Sequence, residues 1–177
     1  MQLQDKQRIA VLSAYALVLH GFEAILPMPI PWVRLGLANI ITIVALLLFG
    51  FRTAMFVTLI RVTLASMFTG TFLGPSFMLS LGGGIASTVA VGAVHAAAKN
   101  LFGPIGLSLI GSLFHNLAQL AFAWLLFVQR IEAILIIAPI ILMLGTVTGV
   151  VNGVIADLLL RQLREGDTGG TVGDPAL

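Results

Sequence analysis

The chain has 177 residues, of which 59% are hydrophobic and only 9% charged, and its net charge is +2. A soluble domain carries about 25% charged residues, so this sequence has too little charge to cover a surface that faces water. It contains no cysteine, which excludes disulfides, thiolate metal sites and cysteine nucleophiles. The composition predicts an all-α, polytopic membrane protein, whose few basic residues are markers of topology rather than a nucleic-acid surface.

Six apolar segments are predicted to cross the bilayer, which takes about 20 residues for each helix. Proline, glycine and charged residues separate them, and the polar N-terminus lacks a small-residue cleavage site, so the first segment is expected to be a retained helix. The predicted helices are 9–26, 35–49, 53–68, 76–98, 105–128 and 133–163. We therefore predict one six-helix transmembrane domain, 1–164, and a disordered, glycine-rich cytoplasmic tail, 165–177.

The basic residues predict the orientation of these six helices. With the N-terminus inside, Arg34 and Arg130 fall outside and Arg61 lies within a helix. Six basic residues then fall at cytoplasmic ends: Lys6, Arg8, Arg52, Lys99, Arg161 and Arg164. The positive-inside rule thus predicts cytoplasmic termini and external loops at 27–34 and 70–76.

Small residues indicate how the helices pack. Gly145, Gly149 and Gly153 recur every fourth residue and define one face of the sixth helix, where another backbone can approach closely. The run Gly82-Gly83-Gly84 is not followed by Lys-Ser/Thr, so it indicates packing or helix bending rather than a phosphate loop.

Polar side chains within the apolar segments are the candidates for function, because a charge at the bilayer centre costs several kcal/mol. Arg61 lies about 13 Å from the inner end of its helix, near the midplane. Counted by depth, the other polar residues converge on the middle and outer half of the bundle: His20, Glu23, Asn39, His115, Asn116 and Gln119. This convergence predicts a ligand cavity that opens to the outside and has Arg61 as its floor.

Structural roles are the alternative for each of these residues. Arg61 could pair with Glu23 or with helix carbonyls, and either His20 or His115 could be an interhelical hydrogen-bonding residue. The amides of Asn39, Asn116 and Gln119 often hold helices together in membranes. For Asp157 the expected role is a helical salt bridge with Arg161, and Asn152 is interpreted as an interhelical contact.

Catalytic motifs are missing from the sequence. No His-Glu-x-x-His or other metal-ligand spacing occurs, and no nucleotide-binding motif is present. Prenyl-diphosphate chemistry normally uses paired Asp-rich motifs to hold Mg²⁺, whereas the aspartates here are isolated: Asp5, Asp157, Asp167 and Asp174. We therefore expect neither an enzyme nor a bound cofactor, and any active transport would need a partner that hydrolyses ATP.

Four stretches, taken together in order and spacing, carry a family resemblance across residues 8–163. They are Leu35-Gly36-Leu37-Ala38-Asn39; Arg61 with Ser66 and Gly70; Gly74-Pro75-Ser76-Phe77 leading to Ser80 and the glycines; and His115-Asn116-Leu117-Ala118-Gln119-Leu120. This combination resembles the bacterial Gx transporter family, also labelled heptaprenyl diphosphate synthase component I. That family is in turn similar to the substrate-binding S components of energy-coupling factor transporters.

The resemblance implies a membrane subunit of the bacterial inner membrane that captures a vitamin- or cofactor-like molecule from outside. Family neighbours imply a flavin- or quinone-related ligand. In this reading Arg61 supplies charge for an anionic ligand, and Arg34 at the mouth and Ser76 in the second external loop belong to the same site. The Ala-x-x-x-Ala pattern that S components often use for docking corresponds to Ala10 and Ala14.

Two rival functions stay open at this point. The chain could be a non-catalytic scaffold or membrane subunit in polyprenyl diphosphate or quinone metabolism, or in electron transfer at the cell surface. It could also be an enzyme or an enzyme subunit that acts on a polyprenyl substrate. Such a protein should show an opening toward lipid and a metal site near the cytoplasmic face.

Overall fold

A computed structural model describes residues 3–25, 38–98 and 101–168, and these form a bundle of six α-helices. The helices are α1 (Leu3–Ile25), α2 (Ala38–Phe49), α3 (Phe51–Phe68), α4 (Pro75–Ala97), α5 (Pro104–Ala123) and α6 (Ile131–Thr168), and a π-helical turn, Trp124–Val128, continues α5. The predicted six-helix, all-α fold is confirmed.

The helix boundaries follow the proline and glycine positions. Gly50, with φ of 85°, is the single residue between α2 and α3, a backbone conformation that other residues rarely adopt. Pro75 and Pro104 occupy the first turns of α4 and α5, where the missing N–H costs nothing. As a result Ser76 belongs to the first turn of α4, so the predicted external loop 70–76 ends one residue before Pro75.

Two further boundaries differ from the prediction. Helix α1 begins at Leu3, six residues before the predicted start, because its polar first turns can be helical outside the apolar layer. Helix α6 ends at Thr168, four residues beyond the predicted domain boundary at 164. The rest of the predicted tail, 169–177, and the predicted loop 27–34 lie outside the described residues.

The helix faces that do not pack against other helices are apolar. Val18, Ile136 and Met143 are exposed by 69%, 73% and 64%, respectively. Among the described residues, four helical segments are long and apolar enough to cross a membrane: Phe51–Phe68, Pro75–Ala97, Pro104–Val128 and Ile131–Leu163. Two shorter helical segments, Ile9–Leu19 and Asn39–Phe49, are also apolar. The chain is a multi-pass membrane protein.

Helix α2 lies at the centre of the bundle, since it contacts all five other helices. One apolar cluster joins α1, α2 and α3 through residues such as Ile9, Ala45 and Val57, and a second joins α2 to α6. In the part of the chain that the structure describes, α1 packs only on α2 and α3. The remaining helices follow one another as α3–α4–α5–α6.

The pairing of α5 with α6 uses the predicted small-residue stripe. Gly145 faces Asn116, Gly149 faces Ser112, and Gly153 faces Ile105 and Ser108. A methyl group on Gly153 would lie 2.6 Å from the Cα atom of Ile105, so the two backbones touch there. This antiparallel register confirms that the glycines serve helix packing.

Candidate functional site

Three buried threonines join α2, α3 and α4 through a chain of hydroxyl groups. The hydroxyl oxygens of Thr42 and Thr58 are 3.2 Å apart, and those of Thr58 and Thr88 are 3.0 Å apart. Thr88 donates its proton to the Gly84 carbonyl at 2.8 Å. Because each hydroxyl has only one proton, Thr58 must donate to Thr88, and Thr42 to Thr58. The chain therefore has one direction and sets the register of the three helices.

This register brings Asn39 and Arg61 to the same depth. Asn39 precedes Thr42 by three residues and Arg61 follows Thr58 by three, and α2 and α3 run antiparallel. Both residues therefore lie about 4.5 Å beyond the Thr42–Thr58 pair, on the side away from Gly50. Arg61 is only 6% exposed, whereas Asn39 is partly exposed. The register thus places a buried cation and an amide at the same depth on two adjacent helices.

Helix α5 contributes His115 and Gln119 to the same region, since the two residues share one face. The His115 imidazole lies against Gly83 of α4. Its Nδ1 atom is buried and, among the described residues, has no hydrogen-bond partner of good geometry. The imidazole is therefore packed between α5 and α4, beside the Gly83 backbone.

Glycines create the room for these side chains. A methyl group on Gly83 would lie 2.9 Å from Nδ1 and Cε1 of His115 and 3.1 Å from Cγ of Gln119. A methyl group on Gly111 would meet the Ser87 hydroxyl at 3.0 Å and would lie 3.9 Å from Nδ2 of Asn39. His115 and Gln119 of α5 thus approach α4 at Gly83. Ser87 of α4 and Asn39 of α2 approach α5 at Gly111.

Asn116 is placed away from this cluster. Its side chain contacts Gly145, and Nδ2 donates to the carbonyl of Ile141 at 3.4 Å. Neighbours in a helix point about 100° apart, so Asn116 faces α6 while His115 faces α4. This hydrogen bond to α6 is the structural role predicted as the alternative for Asn116, in which its amide holds two helices together.

The remaining predicted residues lie at the periphery or outside the described part. Ser76 is exposed in the first turn of α4, and Ala10 and Ala14 are exposed on one face of α1. His20 and Glu23 are part of helix α1, but the structure does not describe their side chains. Arg34 lies outside the described residues. The expected salt bridge is present: Nη2 of Arg161 lies 2.8 Å from Oδ2 of Asp157.

Sequence reasoning missed the threonine chain and Ser87, which is 2% exposed. Asn39–Thr42 and Thr58–Arg61 each have a spacing of three residues, which puts both members on one helix face. That spacing is the signal that could have added the threonines to the candidate site.

With the fold and the cluster described, comparison with known proteins defines the class of protein. A solved structure described as "structure and mechanism of the S component of a bacterial ECF transporter" superposes with a TM-score of 0.72 at 20% sequence identity. The match covers 93% of this chain and 98% of that one, so the two proteins share a fold. The chain is a membrane protein with an S-component fold.

The family follows from a second comparison. The model of the family described as heptaprenyl diphosphate synthase component I matches residues 12–159, which include the whole polar cluster. The chain belongs to this family, as its sequence resemblance predicted. No curated protein sequence matches the chain significantly.

Proposed function

We propose that this protein is the substrate-binding membrane subunit of a small-molecule uptake transporter. The observation that carries the proposal is the position of Arg61, a nearly buried cation level with Asn39, in a fold shared with an S component. Ionisable groups inside membrane proteins usually mark a binding site or a pathway, because burying them is expensive.

The residues suggest how a ligand would be held. Arg61 would supply the positive charge for an anionic group, and its guanidinium can donate several hydrogen bonds at once. His115, Gln119 and Asn39 would orient polar atoms of the ligand. His20 and Glu23, predicted from their depth in the first helix, complete the proposed site together with Arg34 and Ser76. From the resemblance, the ligand is vitamin- or cofactor-like, with a flavin- or quinone-related molecule as the first class to test.

Helix α1 is the proposed contact for an energising partner. Ala10 and Ala14 are exposed one turn apart, and Val11, Tyr15 and Val18 are exposed by 54%, 61% and 69%. Small residues on an apolar face let a partner helix approach closely. The partner would be a transmembrane coupling subunit with its ATPases, in a bacterial inner membrane and with both termini of this chain cytoplasmic.

The alternative function rests on the description of the family, which mentions a component of heptaprenyl diphosphate synthase. In that case the chain would be a non-catalytic membrane subunit in polyprenyl diphosphate or quinone metabolism. The measurement that separates the two is the molecule or protein that the purified chain retains.

Native mass spectrometry of the detergent-purified protein tests the proposal. We expect a co-extracted anionic small molecule on the parent and on Ser108→Ala, a matched variant in which the lost hydroxyl lies toward α6. Arg61→Met should lose this molecule. Retention of a prenyltransferase subunit, with no small molecule displaced by Arg61→Met, would favour the alternative instead.

A further inference from the structure

A small cavity lies between α2, α3 and α4, beside the threonine chain. Its volume is about 10 Å³, and its polar lining consists of Asn39, Thr42, Ser87 and Thr88; the rest of its wall is apolar. On this scale one water molecule needs roughly 10–15 Å³. The cavity is therefore large enough for a single water molecule and too small for an organic ligand.

The direction of the hydroxyl chain determines what the cavity can bind. Thr42 uses its only proton on Thr58, so its oxygen can still accept but cannot donate elsewhere. An occupant can therefore contact this oxygen only by donating a hydrogen bond to it or, if it is a cation, by coordination. Asn39 carries both an acceptor and donors in its amide, and Ser87 has a hydroxyl, so partners of both kinds line the space.

We propose that this cavity is a binding site for one ordered water molecule that donates to Thr42 and bridges it to Asn39 on the same helix and to Ser87 on α4. A buried water typically makes about three hydrogen bonds, which these three side chains supply. The alternative occupant of similar size, a monovalent cation, is disfavoured because none of the residues that line the cavity is a carboxylate. Arg61, at the depth of Asn39, adds positive charge nearby.

The water would join the candidate site to the contact between α2 and α4. Asn39, which lies at the depth of Arg61, is one of its partners, and Ser87 of α4 is another. By bonding to both Thr42 and Asn39, the water would hold the Asn39 side-chain amide in one orientation without any contact with the transported ligand. This inference does not depend on the proposed transport function, and its test has no ligand-binding readout.

The test is a structure of the detergent-purified protein at a resolution that shows ordered water, together with the same structure of two variants. We expect one density peak within hydrogen-bond distance of Thr42 Oγ1, Asn39 and Ser87 Oγ in the parent. Ser87→Ala should lose the peak and lower the melting temperature by roughly 3–6 °C, because buried partners lose a hydrogen bond. Ser108→Ala removes an equally buried hydroxyl that does not line the cavity, so it should keep the peak.

Two results would overturn the proposal. An empty cavity in the parent would show that the polar groups satisfy one another without water. A melting temperature that rises in sodium over choline buffer in the parent, with the rise lost in Ser87→Ala, would assign the site to a cation.

Discussion

Gly83 on α4 lies directly against the imidazole of His115 on α5, with room for a hydrogen atom but not for a methyl group. Gly83→Ala should therefore displace the imidazole and weaken ligand binding at least tenfold while the helices stay folded. The measurement is the affinity for the molecule that the parent retains, with circular dichroism for helix content.

Gly82→Ala is the matched control on the same helix. A methyl group there would meet the ring of Phe122, which is 36% exposed and can move toward lipid. We expect binding close to that of the parent. If both alanine variants bind equally well, His115 does not contact the ligand.

Arg61→Met should reduce binding by at least tenfold, which corresponds to about 1.4 kcal/mol, and the loss should be greatest for anionic ligands. Arg61→Lys should recover part of the affinity, because it keeps the charge but not the planar set of donors. Titration of the purified variants with the retained molecule measures both effects.

A structural role for Arg61 predicts the opposite pattern. Arg61→Met would then lower the melting temperature at unchanged affinity, and Glu23→Gln would restore part of the stability. That outcome would remove Arg61 from the binding site.

Gly153→Ala should separate α5 from α6, because its methyl group would meet the backbone of Ile105 rather than a movable side chain. Overpacking of this kind costs about 1–3 kcal/mol, so thermal unfolding in detergent should occur at a lower temperature. Gly103→Ala, where no atom lies within 4 Å of the added methyl group, is the control and should unfold like the parent.

Much of this architecture is predictable from the sequence, because a bilayer requires apolar runs of a fixed length and proline or glycine marks their ends. Which side chains become neighbours cannot be predicted in the same way, because the register between helices depends on packing over the whole bundle. His115 and Asn116 illustrate the limit: they are adjacent in the sequence and both polar, yet they face α4 and α6, respectively. Thr88 could not be predicted, because it has no polar neighbour at helical spacing among the candidate residues and its partner Thr58 lies on another helix.

Ala14→Leu should abolish uptake while leaving ligand binding intact, if the exposed face of α1 is the contact for an energising partner. The larger side chain would hold the two helix backbones apart. Uptake by vesicles and binding by purified protein are measured side by side. Ala121→Leu, the same change at an exposed position on α5, is the control for the larger side chain and should leave uptake unchanged. Equal loss of uptake and binding in Ala14→Leu would place this alanine inside the fold or the site.

The proposed topology makes Phe72 accessible from outside the cell. It is 45% exposed in the segment between α3 and α4, and the chain has no native cysteine, so a single Phe72→Cys substitution can be labelled cleanly. We expect an impermeant maleimide to label it in intact cells, whereas Leu101→Cys, between α4 and α5, should react only after permeabilisation. The reverse pattern would invert the orientation of the bundle.

The contacts of α1 determine which helices would move first if a partner bound to α1 and tilted it. Since α1 packs, in the described part of the chain, on α2 and α3 alone, a tilt of α1 reaches the other helices only after these two have moved. Asn39 and Arg61 belong to these same two helices, on either side of the one-residue joint at Gly50. A load applied to the exposed face of α1 is therefore delivered first to the pair of helices that carries the amide and the guanidinium. In the described part of the chain α5 and α6 do not contact α1, so His115 would stay in place while Asn39 and Arg61 move relative to it.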